Sequence, residues 1–220
     1  MTDPNLDLPM ISIPRSSVLR SLVATLALPA TLATLSAQSN TEFQISKIEA
    51  NMVTTPSVSY TGATAKNAGA AKRWLEVEVT FGWQPRAATD KYADDVTVNF
   101  YVLLANRNPA APQGTLLTGQ ASLLTIPARQ NDLHTVMYVN PRSLERFFDG
   151  KIPTSTSSAV VDVGITISKG GQVVAEKSLN SKSGAWWPQI QGTPGFLLGK
   201  PETPFAPLNA DYYEPVKKTP

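Results

Sequence analysis

The feature that most constrains this chain is a period of two. Leu75, Val77, Val79, Phe81 and Trp83 alternate with Glu76, Glu78 and Thr80. Successive side chains on a strand point to opposite faces, whereas a helix would scatter these apolar groups around its circumference. The stretch therefore predicts a half-buried β-strand. Val96, Val98, Phe100, Val102 and Leu104 repeat the pattern, with Thr97, Asn99 and Tyr101 on the other face, and Val161, Val163, Ile165 and Ile167 repeat it again. Gly170-Gly171 then predicts a tight turn into a partner strand, Val173 to Leu179.

Weaker signals fill the gaps. Phe43, Ile45 and Ile48 begin a first strand, followed by a small-residue loop from Gly62 to Ala71. Pro109 and Pro112 close the second alternating run with a turn. Leu116 to Ile126 reads as a strand in which Gly119 marks a bulge or a break, and Leu133 to Val139 reads as another. Asn140-Pro141 places a capping residue before proline at a first helical position, so Arg142 to Asp149 is expected to form about two turns ending at Gly150. Leu144, Phe147 and Phe148 would dock that helix over one end of the sheets.

About seven short strands and one short helix describe an all-β fold, an immunoglobulin-like antiparallel β-sandwich over residues 38–184. Antiparallel sheets with one wet face fit this alternation better than a parallel sheet. The chain has no cysteine, so the kinship to antibody domains is architectural.

Residues 1–37 say where the protein works. Arg15 and Arg20 precede the apolar run Ser21 to Leu35, and Leu35-Ser36-Ala37 offers a small residue for cleavage. That order is a secretory signal peptide. Met10 opens a cleaner leader than Met1, because Asp3 and Asp7 sit in a segment that should be positive, and both starts stay open. The run is too short to span a bilayer, which takes roughly 20 apolar residues, and Pro29 interrupts it. No membrane span is expected after cleavage, and the protein is expected in the periplasm, at the outer membrane or at the cell surface. A pilin would keep its apolar segment and carry an acidic residue in it; this one carries none, so a polymerising subunit is not expected. An accessory role in assembly stays open.

The charge is balanced at +2 and stays so once the leader is removed. Its basic residues are scattered, which argues against nucleic acid as a partner. An exported domain without disulfides must be stabilised by burial alone, which points to a bacterial envelope protein. Charged residues make up only 16% of the chain, low for a soluble surface, while uncharged polar residues are plentiful.

Residues 185–220 change character. Seven of the 18 prolines fall there, beside Trp186, Trp187, Phe196, Phe205, Tyr212 and Tyr213. Proline at this density forbids a central strand and favours extended or polyproline geometry. The aromatics are too many for a disordered tail. An extended segment is expected, packed on the domain or held for another chain, and those six aromatics are the candidate contacts for a partner protein or a glycan.

Chemistry-bearing motifs are sparse. His134 and Asp132 share a strand face, yet no G-x-S-x-G supplies a nucleophile. Asp90, Asp94 and Asp95 cluster in a loop without a calcium-binding spacing, and read as a solvated turn. Glu76 and Glu78 read as an exposed face kept soluble. For Trp186-Trp187, an extended backbone would send one ring into the core and the other outward, exposed or covered by the tail. No catalytic residue, metal ligand or cofactor is expected.

The leader Ile11 to Ser39, the strand Trp74 to Trp83 and the Trp186-Trp187 segment together resemble an immunoglobulin-like protein family of mucin-degrading gut Verrucomicrobia (Akkermansia), encoded in a type IV pilus-like gene cluster. The resemblance covers essentially the whole chain. It implies an immunoglobulin-like fold, similar to soluble domains of archaeal pilus subunits, and an envelope- or pilus-associated role. It transfers no catalytic or ligand residues. The expected function is thus a non-enzymatic, exported protein that works by contact with other envelope or pilus proteins, through a sheet edge or the aromatic C-terminal segment. The alternative is a glycan-binding module facing mucin or cell-wall sugars.

Overall fold

The computed structural model describes residues 42–57, 71–106, 113–181 and 184–218. The signal-peptide expectation, most of the Gly62 to Ala71 loop and the Pro109 to Pro112 turn lie outside the described residues. Within them the protein is mostly β, with sheets that are antiparallel in all but one pairing and few helices.

The strands are β1 (Phe43–Thr54), β2 (Arg73–Trp83), β3 (Tyr92–Ala93), β4 (Val96–Leu104), β5 (Leu116–Ser122), β6 (Ile126–Pro127), β7 (Gln130–Val139), β8 (Val160–Lys169), β9 (Gln172–Ser178), β10 (Gly192–Pro194) and β11 (Leu197–Gly199). A four-stranded sheet has the order β1-β2-β7-β11, a five-stranded sheet β10-β5-β4-β8-β9, and β3 pairs with β6 alone. Seven of the strands hold at least seven residues. The count exceeds the expected seven or so because β3, β6, β10 and β11 have only two or three residues each, too few to show an alternation.

The alternating runs meet in one core, except that Val161 is exposed where β8 shifts register against Leu103 and Leu104 of β4. Leu75, Val77, Val79, Phe81 and Trp83 of β2 are all fully buried, and they share a cluster with Val98, Phe100 and Val102 of β4 and Val163, Ile165 and Ile167 of β8. Each such side chain contributes roughly 1.5–3 kcal/mol through the apolar area it removes from water. The buried Trp83 keeps its indole N–H satisfied by donating to Glu42 Oε1 at 3.0 Å. Gly170 and Gly171 both take positive φ, 58° and 81°, as the tight β8–β9 turn requires.

Gly119 neither breaks nor bulges its strand. β5 runs through it in unbroken register with β4. A Cβ there would lie 2.7 Å from Leu197 and 2.9 Å from Met137, so the glycine permits close approach of the other sheet.

The helix α1 (Pro141–Phe147) begins one residue earlier than expected and stops two earlier. Asn140 Oδ1 accepts from the Ser143 N–H at 2.8 Å, and the chain leaves the helix through left-handed Asp149 and Gly150. A second helical turn, α2 (Thr156–Ala159), is closed by a Ser155–Ser158 capping box. Among the described residues no helix is long and apolar enough to cross a membrane.

Residues 185–218 wrap the two sheets. Three 3-10 turns, at Trp187–Gln189, Lys200–Glu202 and Ala210–Tyr212, bend a segment expected to be extended. Between them β10 extends β5 in parallel and β11 extends β7 antiparallel. β10 ends on Pro194 at a sheet edge, where the missing N–H is tolerated, and β11 stops where the Lys200–Glu202 turn begins. The chain then crosses the outer face of the four-stranded sheet and returns to β5, where Lys217 N–H donates to Ser122 O at 2.7 Å.

Candidate functional site beneath the C-terminal segment

The six aromatics proposed as contacts divide among three stations. At the first, Trp187 is 6% exposed and stacks on Tyr101 of β4, with ring centroids 5.1 Å apart and planes 12° from parallel. It lies on the outer face of the five-stranded sheet with Leu103 and Leu116, outside the core between the sheets. Gly164 of β8 makes the room: a Cβ there would sit 2.1 Å from Trp187 Cε3. Trp186 packs edge-on to Trp187 at 5.6 Å, and its indole N–H donates to Ser178 Oγ at 2.9 Å. The expectation that the two rings point to opposite sides fails because Trp186 has helical dihedrals and enters a 3-10 turn; only an extended backbone would separate them. Beside them, buried Asp162 accepts from Ser178 Oγ at 2.7 Å and from the Asn180 N–H at 2.9 Å.

The second station is Phe196, which meets Phe147 of α1 edge-on at 4.9 Å with the Arg146 guanidinium 5.3 Å from its ring centre. Residues far apart in sequence thus tie the helix to the tail.

The third carries most of the polar chemistry. On β2, Trp74, Glu76, Glu78 and Thr80 face away from the core, and on β7 His134, Val136 and Tyr138 do the same. Cross-strand register sets Glu76 opposite Tyr138 and Thr80 opposite His134. Phe205 stacks on Tyr138 at 4.6 Å and meets Trp74 edge-on at 5.7 Å. Tyr138 donates to Glu76 Oε2 at 2.9 Å. Tyr212 lies over the His134 ring at 4.0 Å and donates to Glu78 Oε1 at 3.1 Å, while Tyr213 donates to Glu78 Oε2 at 3.1 Å. The Glu214 N–H closes the seat on His134 O at 2.8 Å. Glu76 and Glu78 therefore do not form a solvated acidic face. Their strand alternates as read, but a segment more than a hundred residues away covers it.

The electrostatics follow from that cover. Burial, together with the nearby Glu78 and Glu49 carboxylates, holds Glu76 above the usual carboxylate range, although its bond from Tyr138 pulls the other way. Burial raises Glu214 too, partly offset by His134. Tyr138 is raised by burial and by Glu76, and Tyr213 by burial and by Glu78. Tyr212 is pushed up to about 12 by desolvation and by its bond to Glu78.

His134 and Asp132 do meet, Nε2 to Oδ1 at 2.9 Å. The other ring nitrogen lies 2.9 Å from Glu78 Oε1 and 3.3 Å from Thr80 Oγ1, beneath Tyr212. The imidazole is thus engaged at both nitrogens and roofed by the tail. Asp95 adopts a left-handed backbone and pairs with Lys217 at 2.9 Å. Among the described residues no group of three or more His, Asp or Glu is placed to hold a metal ion. In the sequence Glu78 and Tyr101 are placed only on outward strand faces, and Tyr138 and Gly164 are not singled out at all. The outward position of Glu78 and Tyr101 is visible from alternation, but the segment that lands on them is not.

A crystal structure from Akkermansia muciniphila is similar in fold, with a TM-score of 0.67 at 24% identity over 81% of this chain and 94% of that one. No curated protein matches the chain significantly in sequence. A protein-family model matches residues 34–220, and the chain belongs to that family.

Proposed function

We propose that this is an exported, non-enzymatic β-sandwich of immunoglobulin type that acts by protein–protein contact in a bacterial envelope or type IV pilus-like assembly. One observation carries the choice of surface. The tail is spent on its own domain and covers the β5 and β7 edges, whereas among the described residues no strand pairs with the outer edges of β1 and β9. Those edges lie together on the other flank, where Lys177 Nζ donates to Ile45 O and Ser46 O of β1 at 3.1 and 2.6 Å. An unpaired edge presents a row of N–H and C=O groups to an incoming strand. Val173 on β9 is 59% exposed, an apolar side chain available to such a strand. The leader supports export. The buried Trp187 offers no free ring face to a sugar, so the glycan alternative loses its main platform.

Cross-linking on native envelopes, read by mass spectrometry, tests this reading. The expected result is recovery of envelope proteins cross-linked through β1 or β9, lost in Val173→Lys at unchanged melting temperature. A mature amino terminus that still carries Ser21 to Leu35, or cross-links that survive Val173→Lys unchanged, counts against it.

A further inference from the structure

Among the described residues no strand pairs with the outer edge of β1, yet only part of that edge can take one. The Thr55 N–H donates to Lys72 O at 2.8 Å. Backbone groups alternate in direction along an antiparallel pair. Lys47, Glu49, Asn51 and Val53 therefore turn theirs towards β2, and Ile48, Ala50, Met52 and Thr54 turn theirs to the free edge. Both ends of this row are closed. Before it the strand bulges between Ile45 and Lys47, and the Lys177 ammonium already occupies the Ile45 and Ser46 carbonyls. After it comes Pro56, which has no N–H. The usable edge is residues 48–54, with Asn51 at its centre.

That window is complementary to itself. Two copies meeting antiparallel about a two-fold axis at Asn51 set Ile48 against Thr54 and Ala50 against Met52, so each outward N–H and C=O of the row finds a partner. Neighbouring registers fail. A centre at Ala50 sets Thr54 against the bulged Ser46, and a centre at Met52 sets Ile48 against Pro56. In the Asn51 register Glu49 faces Val53 and Lys47 faces Thr55 on the outer side of the sheet. No like charges meet there, and Lys47 and Glu49 already neutralise each other at 2.9 Å. Asn51 faces Asn51 across the axis. Its carboxamide is exposed and makes no hydrogen bond to another described residue. A carboxamide both donates and accepts, so two of them bond reciprocally. On the inner side Ala50 and Met52, only half-buried at the rim of the core, cover each other.

We propose that β1 recruits a second copy of this chain: residues 48–54 pair antiparallel with residues 48–54 of the other copy, about a two-fold axis at Asn51, and join the two four-stranded sheets into one continuous sheet. The proposal rests on the reading of β1 as a contact edge and names the occupant of that edge.

The chain has no cysteine, so single introduced thiols report the pairing without background. In residues 38–220, Asn51→Cys places two thiols on a non-hydrogen-bonded pair with Cα atoms roughly 4.5 Å apart, inside the range a disulfide spans. Under a mild oxidant, Asn51→Cys is expected to form a disulfide-linked dimer about tenfold or more faster than Lys47→Cys, whose thiols the same register holds apart. Glu49→Cys mixed with Val53→Cys is expected to cross-link faster than either variant alone. Sedimentation of the wild-type chain between about 1 µM and 1 mM is expected to shift from monomer to dimer with concentration. A wild type that stays monomeric throughout, or an Asn51→Cys variant that cross-links no faster than Lys47→Cys, overturns the proposal. A monomer whose β1 still cross-links to envelope proteins overturns this proposal alone, whereas loss of those cross-links as well rejects the contact edge on which it rests.

Discussion

Gly164→Ala should be among the most damaging single-methyl changes in this protein. The added Cβ would meet Trp187 Cε3 at 2.1 Å, Cζ3 at 2.5 Å and Cδ2 at 2.9 Å. These are atoms of a rigid bicyclic ring, so no flexible chain end can move aside. The ring is stacked on Tyr101 and packed among Leu103 and Leu116, and it must lift off the sheet to admit the methyl. Overpacking costs about 1–3 kcal/mol when neighbours adjust, and losing a buried tryptophan altogether costs about 3–5 kcal/mol. A loss of about 3 kcal/mol follows, because the displaced ring keeps some contacts. For a domain of this size that corresponds to a melting temperature lower by about 6–12 °C. Urea unfolding followed by tryptophan fluorescence reads both the stability and the altered indole environment. Trp187→Ala should cost about the same or more, and the double variant should cost little beyond Trp187→Ala alone, since both changes remove one contact. A Gly164→Ala protein within about 0.5 kcal/mol of wild type, a change usual for neutral surface sites, would refute this account of how the tail is seated.

Other expectations concern separate parts of the fold. Asn140→Ala removes the acceptor for the Ser143 N–H and should lower stability by about 1 kcal/mol in denaturant titration. Asp162→Ala strands the Asn180 N–H and the Ser178 hydroxyl and should cost about 1–3 kcal/mol by the same assay. Unfolding free energy should fall as pH rises above the ordinary carboxylate range. Folding raises Glu76 and Glu214 above their ordinary values, so their contribution is fully present below the ordinary carboxylate range and is lost as pH rises through the folded values. Urea titrations at several pH values check the sign, and Glu76→Gln should flatten the slope.

Local pattern made the core strands legible, and distance hid the rest. Leu75 to Trp83 advertise their buried face because alternation is a property of neighbours in sequence. The same holds for the Gly170-Gly171 turn and for the Asn140 cap. Glu76 and Glu78 show the limit: alternation assigns them to the outer face but cannot say that Tyr212 and Tyr213 will cover it. Gly119 reads as a bulge or a break, and Gly164 carries no reading of its own, for a related reason. A glycine in a strand signals missing volume without naming what fills it, here Met137 and Leu197 in one case and Trp187 in the other. The tail was recognised as too aromatic to be idle. Its path was not readable, because short pairings such as β10 and β11 leave no periodic trace and 3-10 turns reset which side each ring faces.

The central claim is that residues 185–218 are a structural part of the domain, closing one flank and covering both sheets. Equilibrium urea unfolding of residues 38–184 beside residues 38–220 tests it most directly. The account expects the shorter chain to lose its cooperative transition or to unfold at much lower urea. An unchanged, equally cooperative transition without residues 185–220 would contradict it.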